Sequence, residues 1–213
     1  MKDIQLIVFD LDGTLVDAYR AIIRSFNYTM QRLGYPRQSD LIIRRAVGWG
    51  DGSLLEPFLK KKDLKEALSI YRMHHQAALL KGSRVFPWAK KVLRRLKSAK
   101  YKLAVATNRP TKFTGILMDH LGLTKYFNYV LCSDVLKRGK PDPEILRKIM
   151  QRFNLNPKQT IYVGDMNIDV QTGRRAGVKT VIVATGSSSR REIKKEKPYR
   201  IIGKIRNLVQ LLS

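Results

Sequence analysis

Four short fragments of the 213-residue chain carry side chains that do chemistry, and each follows a short apolar run. In chain order they are Asp10-Leu-Asp12-Gly13-Thr14, Thr107-Asn108, Lys140-Pro141, and Gly164-Asp165 with Asp169. Because the carboxyl ends of parallel strands meet at one edge of a sheet, we expect these fragments to converge on a single site. Carboxylates, one ammonium group and several backbone N–H donors would meet there. This set is typical of a site that handles a phosphate together with a divalent metal.

The first fragment supplies two carboxylates with different tasks. Asp10, at the end of the first apolar run, is the candidate nucleophile that would attack phosphorus and form an aspartyl-phosphate. Asp12 lies two residues further on, where it would protonate the leaving alcohol and later deprotonate the attacking water. Gly13 permits a tight turn, and Thr14 can form a hydrogen bond within that loop.

Three residues of the next two fragments are candidates for binding the phosphate. Thr107 and Asn108 offer hydroxyl, amide and backbone donors to its non-bridging oxygens, as an oxyanion hole does. Lys140 would neutralise phosphate charge and restrain the nucleophile. Each of these short fragments is common in proteins, so the prediction depends on all four occurring in order.

The last fragment predicts a metal site. Asp165 is placed to bind Mg²⁺, a hard cation that prefers oxygen ligands. Asp169 lies one helical turn later and would face the same side, where it would orient a water molecule on the metal without binding the ion itself.

The pattern of apolar runs predicts an α/β fold with a parallel sheet. Strands are predicted at residues 6–9, 103–106, 129–131, 160–163 and 180–184, and segments with helical periodicity separate them. Strands that alternate with helices indicate right-handed crossovers. A short strand and a final helix are predicted between residues 201 and 212.

One stretch breaks this alternation. Residues 18–82 show helical periodicity and almost no strand signal, and Ile22, Phe26 and Met30 lie along one helical stripe. We therefore predict a catalytic core of residues 1–17 and 83–213 and an inserted helical cap of residues 18–82. An insertion directly after the first strand and its loop would lie over the carboxyl edge of the sheet, as a lid above the site.

The composition is that of a folded protein, with 44% hydrophobic and 28% charged residues. The longest apolar stretches are far shorter than the ~20 residues that span a bilayer, and the N-terminus has no signal-peptide pattern. We therefore expect a cytoplasmic protein with no membrane partner. The single cysteine, Cys132, excludes an internal disulfide. The net charge of +25 attracts anions, but the basic residues are dispersed, so nucleic acid is expected to bind only nonspecifically.

Taken together, the four fragments resemble the motifs of the haloacid dehalogenase superfamily of phosphohydrolases, and within it the phosphoglycolate phosphatase-like members with a small helical cap. The resemblance runs from Leu6 to the last predicted helix. It implies a Rossmann-like core, a mobile cap, magnesium dependence and a phosphoaspartate intermediate. It also implies that the carboxylates of Asp10 and Asp165 and the backbone carbonyl of Asp12 hold the metal.

Three positions of this sequence distinguish it from other members of the superfamily. The carboxylate at Asp12 is unlike the dehalogenase branch, which lacks an acid there, and so favours phosphate chemistry. Met166 stands where a small hydroxyl residue is frequent, and Ala18 stands where many relatives carry Ser at the entry to the cap. Neither departure changes a residue with a proposed chemical role.

The leading prediction is a magnesium-dependent phosphatase for a small phosphorylated metabolite, with phosphoglycolate as the first compound to test. Alternatives on the same core are a phosphomutase similar to β-phosphoglucomutase, a pyrophosphatase and a nucleotidase. A basic nucleic-acid-binding protein is the alternative from another class. Substrate recognition is assigned to the cap, with Arg44, Arg45, Trp49 and Lys60–Lys62 as candidates. The histidines, His74, His75 and His120, match no spacing of metal ligands or catalytic triads, and the predicted chemistry uses none of them.

Overall fold

The protein is described here by a computed structural model that covers residues 3–212. Elements are numbered in chain order. Six strands in this range form one parallel sheet: β1 (Leu6–Phe9), β4 (Lys102–Thr107), β5 (Tyr129–Cys132), β6 (Thr160–Gly164), β7 (Lys179–Val183) and β8 (Arg200–Ile202). Their order across the sheet is β5-β4-β1-β6-β7-β8, so β1 lies between β4 and β6. Five of them are the predicted strands within one residue at each end, and β8 is the predicted short strand near the C-terminus.

The register of the central strands explains why the polar residues after them lie close together. Phe9 at the end of β1 pairs with Val105 on β4 and with Val163 on β6. Asp10 comes directly after Phe9, and Thr107 and Asp165 come two residues after Val105 and Val163. All three lie at the carboxyl edge, where an open parallel sheet collects its ligand-binding groups.

Both faces of the sheet are buried, as expected for parallel strands with unbroken apolar sequences. Helices that follow the insertion cover the sheet: α5 (Ala89–Ser98), α6 (Thr111–His120), α7 (Glu144–Phe153), α8 (Asn167–Ala176), α9 (Arg190–Lys195) and α10 (Asn207–Leu212). Alternate residues of β1 illustrate the two cores. Ile7 and Phe9 pack in the core that includes α5 and α6, whereas Leu6 and Val8 pack with α7 on the opposite face.

The segment between β1 and α5 contains the predicted helices. These are α1 (Tyr19–Arg32), α2 (Asp40–Ala46), α3 (Asp51–Leu55) and α4 (Leu64–Gly82). Helices α1 and α4 pack along each other, with Phe26 and Met30 fully buried. The chain enters and leaves this segment through an antiparallel two-stranded ribbon, β2 (Val16–Asp17) and β3 (Arg84–Val85). Within residues 3–212, we find no helix with the length and apolar character needed to cross a bilayer.

Candidate active site

A small cavity lies between the helical insertion and the carboxyl edge of the sheet. Its volume is about 60 Å³, enough for a few water molecules. Five residues singled out from the sequence line it: Asp10, Asp12, Thr107, Asn108 and Lys140. The other four, Gly13, Thr14, Asp165 and Asp169, lie behind this wall.

Lys140 is the centre of a buried charge cluster. Its Nζ lies 2.9 Å from Oδ1 of Asp10 and 2.7 Å from Oδ1 of Asp169, and all three residues are buried. Burial by itself would lower the pKa of Lys140, but the two carboxylates outweigh it and raise the pKa above its usual value. The lysine is therefore a fixed positive charge beside Asp10.

Asp169 uses both of its oxygens to hold neighbouring groups. Oδ1 accepts hydrogen bonds from Lys140 Nζ and from the Tyr162 hydroxyl, each at 2.7 Å. Oδ2 accepts from the backbone N–H groups of Asp165 (3.1 Å) and Met166 (3.0 Å). Asp169 thus fixes the lysine and the start of α8 at the same time.

Asp165 has one oxygen that is satisfied and one that is not. Its Oδ1 accepts a hydrogen bond of 2.7 Å from Thr14 Oγ1, whereas its Oδ2 is buried without a hydrogen-bond partner in the described part of the chain. Two glycines leave the space for it, because a Cβ atom on Gly13 or on Gly186 would overlap Oδ2. Gly13 also has a φ of +83°, in the region that favours glycine.

Three buried carboxylates meet beside this oxygen. Ligand atoms of Asp10, Asp165 and Asp169 all lie within 4.8 Å of one another. Burial raises the pKa of Asp10 to about 6, and the nearby Asp169 adds to the effect, while Lys140 opposes it. Burial, followed by the charges of Asp10 and Asp169, also raises the pKa of Asp165 well above its usual value. Buried acids with an unsatisfied oxygen form a donor set that suits a hard divalent cation.

Asn108 has a structural role that the sequence does not reveal. Its Nδ2 donates to the carbonyl oxygens of Gly48 (2.9 Å) and Lys140 (3.1 Å), and its Oδ1 accepts from the Lys140 N–H (2.8 Å). The amide group therefore ties the insertion and the Lys140 loop to the end of β4. The hydroxyl of Thr107 accepts from the Arg109 N–H at 3.2 Å and can still donate its own hydrogen.

The carboxylate of Asp12 binds Arg109, which the sequence analysis missed. Nε of Arg109 donates to Oδ2 and Nη2 donates to Oδ1, both at 2.8 Å. The Arg109 side chain is 6% exposed and lines the cavity. Its position directly after Thr107 and Asn108 was the available signal in the sequence, because a residue that follows two candidate ligands at a strand end reaches the same site.

The third nitrogen of the Arg109 guanidinium contacts the insertion. Nη1 lies 3.0 Å from Nε2 of His75 on α4, and Nδ1 of His75 lies 3.1 Å from Ser25 Oγ on α1. Burial, reinforced by Arg109, lowers the pKa of His75 to about 2, so the ring is neutral. A neutral ring that accepts from Arg109 at Nε2 carries its hydrogen on Nδ1 and donates it to Ser25. His75 also lines the cavity, a position that the sequence did not indicate, although the predicted chemistry still uses no histidine.

The cap residues chosen from the sequence as recognition candidates lie elsewhere. Within the described chain, the cavity has no contribution from Arg44, Arg45, Trp49 or Lys60–Lys62. Arg44 stacks over the ring of Tyr19 at 4.0 Å. The insertion instead lines the cavity with Ile22, Val47, Gly48, Gly50, Asp51, Leu54, Tyr71 and His75.

The fold and the site together define a Rossmann-like α/β protein with clustered buried carboxylates and a buried lysine at the carboxyl edge of its parallel sheet. The family model of haloacid dehalogenase-like hydrolases matches residues 7–183, and the chain belongs to that family. It is 31% identical to a phosphoglycolate phosphatase of Aquifex aeolicus over 85% of each chain. It is 30% identical to the phosphoglycolate phosphatase of Aliivibrio fischeri over 100% of this chain and 98% of that protein.

A solved structure extends this similarity to the whole fold. The crystal structure of a predicted phosphoglycolate phosphatase from Haemophilus somnus superposes with a TM-score of 0.95 at 27% identity and covers 100% of both chains. The parallel sheet and the helical insertion described above therefore recur in a chain that shares about a quarter of the sequence. This confirms the predicted fold class.

Proposed function

We propose that the protein is a magnesium-dependent phosphatase that hydrolyses a small phosphate monoester, with phosphoglycolate as the first candidate. The observation that carries the proposal is a buried Asp10 whose Oδ1 lies 2.9 Å from Lys140 Nζ, with both residues in the wall of the cavity. A carboxylate fixed beside an ammonium group suits attack on a phosphate whose charge the ammonium neutralises. The names of the relatives support phosphoglycolate as the compound to test first.

In the proposed reaction Asp10 and Asp12 divide the chemistry. A carboxylate oxygen of Asp10 attacks phosphorus, the bond from phosphorus to the ester oxygen breaks, and Asp12 gives its proton to the departing alkoxide. Asp12 then removes a proton from water as this water attacks the phosphorus of the aspartyl-phosphate. The bond between phosphorus and the Asp10 oxygen breaks, inorganic phosphate leaves, Asp10 is again a carboxylate and Asp12 again carries a proton.

Other residues of the proposal bind the substrate and the metal. Lys140, the Thr107 hydroxyl and the backbone N–H of Asn108 would contact the non-bridging oxygens of the phosphate. The carboxylates of Asp10 and Asp165 and the backbone carbonyl of Asp12 would hold Mg²⁺, and its charge would offset the repulsion between an anionic nucleophile and an anionic substrate.

We further propose that residues 18–82 are a cap domain on a core of residues 1–17 and 83–213. The ribbon of β2 and β3 supports these boundaries, since it joins both connections at one place and is held by an ion pair of 3.0 Å between Arg84 and Asp17. Movement at this ribbon would open the cavity to substrate and close it to water.

The test of the reaction is a panel of phosphorylated metabolites assayed for phosphate release. We expect phosphoglycolate to release phosphate with Mg²⁺ and the rate to fall to background with a chelator. Formation of a sugar-phosphate isomer without free phosphate would instead establish a phosphomutase. Absence of turnover for every monoester in the panel would contradict the proposed function.

The metal site has a readout that does not need activity. Saturating Mg²⁺ is expected to raise the unfolding temperature by about 5 °C or more, since a ligand that binds only the folded state stabilises it. Asp165→Asn should remove most of this increase, whereas the exposed control Asp119→Asn should keep it. An equal increase in wild type and Asp165→Asn, measured by differential scanning calorimetry, would contradict the proposed ligand set.

A further inference from the structure

Resting on the proposed function, we propose that Arg109 binds a carboxylate on the alcohol part of the substrate and releases Asp12 for proton transfer as it does so. Arg109 is then a residue that determines specificity, and its contact with Asp12 makes proton transfer depend on the correct substrate. The substrate class is a small phosphate monoester with a second anionic group close to the ester oxygen.

Arg109 lies in the wall of the cavity. Its guanidinium group lines the cavity, and its side chain is 6% exposed. The wall also contains apolar side chains, among them Val47, Leu54 and Phe113. A buried guanidinium in such surroundings requires an anionic partner at every stage of a reaction cycle. The planar fork of an arginine binds a carboxylate with two parallel hydrogen bonds.

Asp12 cannot hold Arg109 with both oxygens and also protonate the substrate. Both of its oxygens accept hydrogen bonds of 2.8 Å from Arg109, but a general acid must place one oxygen against the ester oxygen of the substrate. Asp12 therefore has to give up part of this contact when it acts. Arg109 can release it without an energetic penalty only if another anion takes the vacated donors.

The anion that replaces Asp12 on Arg109 belongs to the leaving group of the substrate. The phosphate has its own partners in Lys140 and Thr107, so the replacement must come from the other side of the ester bond. Asp12 protonates the ester oxygen, and Arg109 is hydrogen-bonded to Asp12, so the fork lies within reach of the leaving group's substituents. A carboxylate one or two carbons from the ester oxygen suits this exchange of one carboxylate for another.

The insertion keeps Arg109 in place during the exchange. Nη1 of Arg109 is bound by the neutral ring of His75 at 3.0 Å, and His75 is held in turn by Ser25. Because His75 and Ser25 belong to α4 and α1, the guanidinium is positioned by the insertion while its other two nitrogens face Asp12 on the core. His75 is a positioning residue in this proposal.

The test compares two substrates that differ in the carboxylate alone. Phosphoglycolate and ethyl phosphate have the same phosphate and the same number of carbons. For the wild-type enzyme, kcat/KM is expected to be at least about tenfold higher for phosphoglycolate. Arg109→Gln should reduce this ratio to close to one. Arg109→Lys, which keeps the charge without the fork, should reduce it to an intermediate value, mainly through KM for phosphoglycolate.

Arg174→Gln is the matched control. Arg174 also pairs with a carboxylate, Glu196 at 2.9 Å, but it is exposed and lies outside the cavity wall. The ratio of kcat/KM for phosphoglycolate to kcat/KM for ethyl phosphate should be the same in Arg174→Gln as in wild type. The unfolding temperatures of all variants separate loss of recognition from loss of structure. If Arg109→Gln does not fold, the comparison of the kcat/KM ratios of wild type and Arg109→Lys tests the role of Arg109.

The outcomes distinguish this inference from the function on which it rests. A wild-type ratio near one, or an unchanged ratio in a folded Arg109 variant, would overturn the role of Arg109 while phosphatase activity remains. Wild-type protein that releases phosphate from neither substrate would overturn the proposed function itself.

Discussion

Asp10→Asn is expected to lower phosphate release from phosphoglycolate by about 10⁴-fold or more, as removal of a covalent nucleophile does in other enzymes. The amide has almost the shape of the carboxylate but cannot form the aspartyl-phosphate. Lys140 keeps its contact with Asp169 at 2.7 Å in this variant, so the buried ammonium retains a partner. The measurement is steady-state phosphate release with saturating Mg²⁺.

Two controls belong to this experiment. The unfolding temperature of Asp10→Asn should stay within a few degrees of wild type, which separates lost chemistry from lost structure. Asp119→Asn removes an exposed carboxylate at the end of α6 and should keep full activity. Turnover of the Asp10→Asn protein within tenfold of wild type would show that another group attacks phosphorus.

Asp12→Asn is expected to show a loss that depends on the leaving group. With phosphoglycolate the rate should fall by about 10² to 10⁴-fold, the range in which general acid catalysis contributes. With acetyl phosphate, a small compound whose leaving acetate needs no proton, formation of the intermediate should be affected far less. The measurement is the burst of acetate or glycolate release at high enzyme concentration, which isolates the first chemical step.

The dependence on the leaving group is what identifies a proton donor. A residue that only supports the shape of the site would slow both substrates by the same factor. Equal losses for phosphoglycolate and acetyl phosphate in a folded Asp12→Asn protein would therefore contradict the proposed role of Asp12. The ion pair between Asp12 and Arg109 leads to a second expectation. Asp12→Asn removes the charged partner of Arg109, so this variant should have a lower free energy of unfolding than wild type.

The fold could be predicted from the sequence because its signals are local. Residues 6–9 are an unbroken apolar run and residues 160–163 are a largely apolar one. Such runs are typical of strands buried on both faces, and each is followed within two residues by a polar fragment. The parallel arrangement then brings Asp10 and Asp165 to one edge of the sheet with the register observed for β1 and β6. The helical periodicity of residues 18–82 is also a local signal, and it indicated a helical insertion after the first strand.

The contacts across the cavity could not be predicted in this way. Arg109 and Asp12 are 97 positions apart, and Arg109 and His75 are 34 apart. Their pairing depends on how the insertion lies over the sheet, and helical periodicity does not encode that placement. The same limit explains the cap candidates, which were chosen for anionic or polar recognition, whereas the insertion lines the cavity largely with apolar residues such as Val47 and Leu54.

Trapping the covalent intermediate tests most directly whether Asp10 is the nucleophile. Wild-type protein is mixed with phosphoglycolate and Mg²⁺, quenched in acid within milliseconds, digested and analysed by mass spectrometry. We predict a phosphoryl group on the peptide that contains Asp10, at Asp10 itself, and its absence in Asp10→Asn. Rapid phosphate release with no modified peptide, or a phosphoryl group on any other residue, would contradict the account.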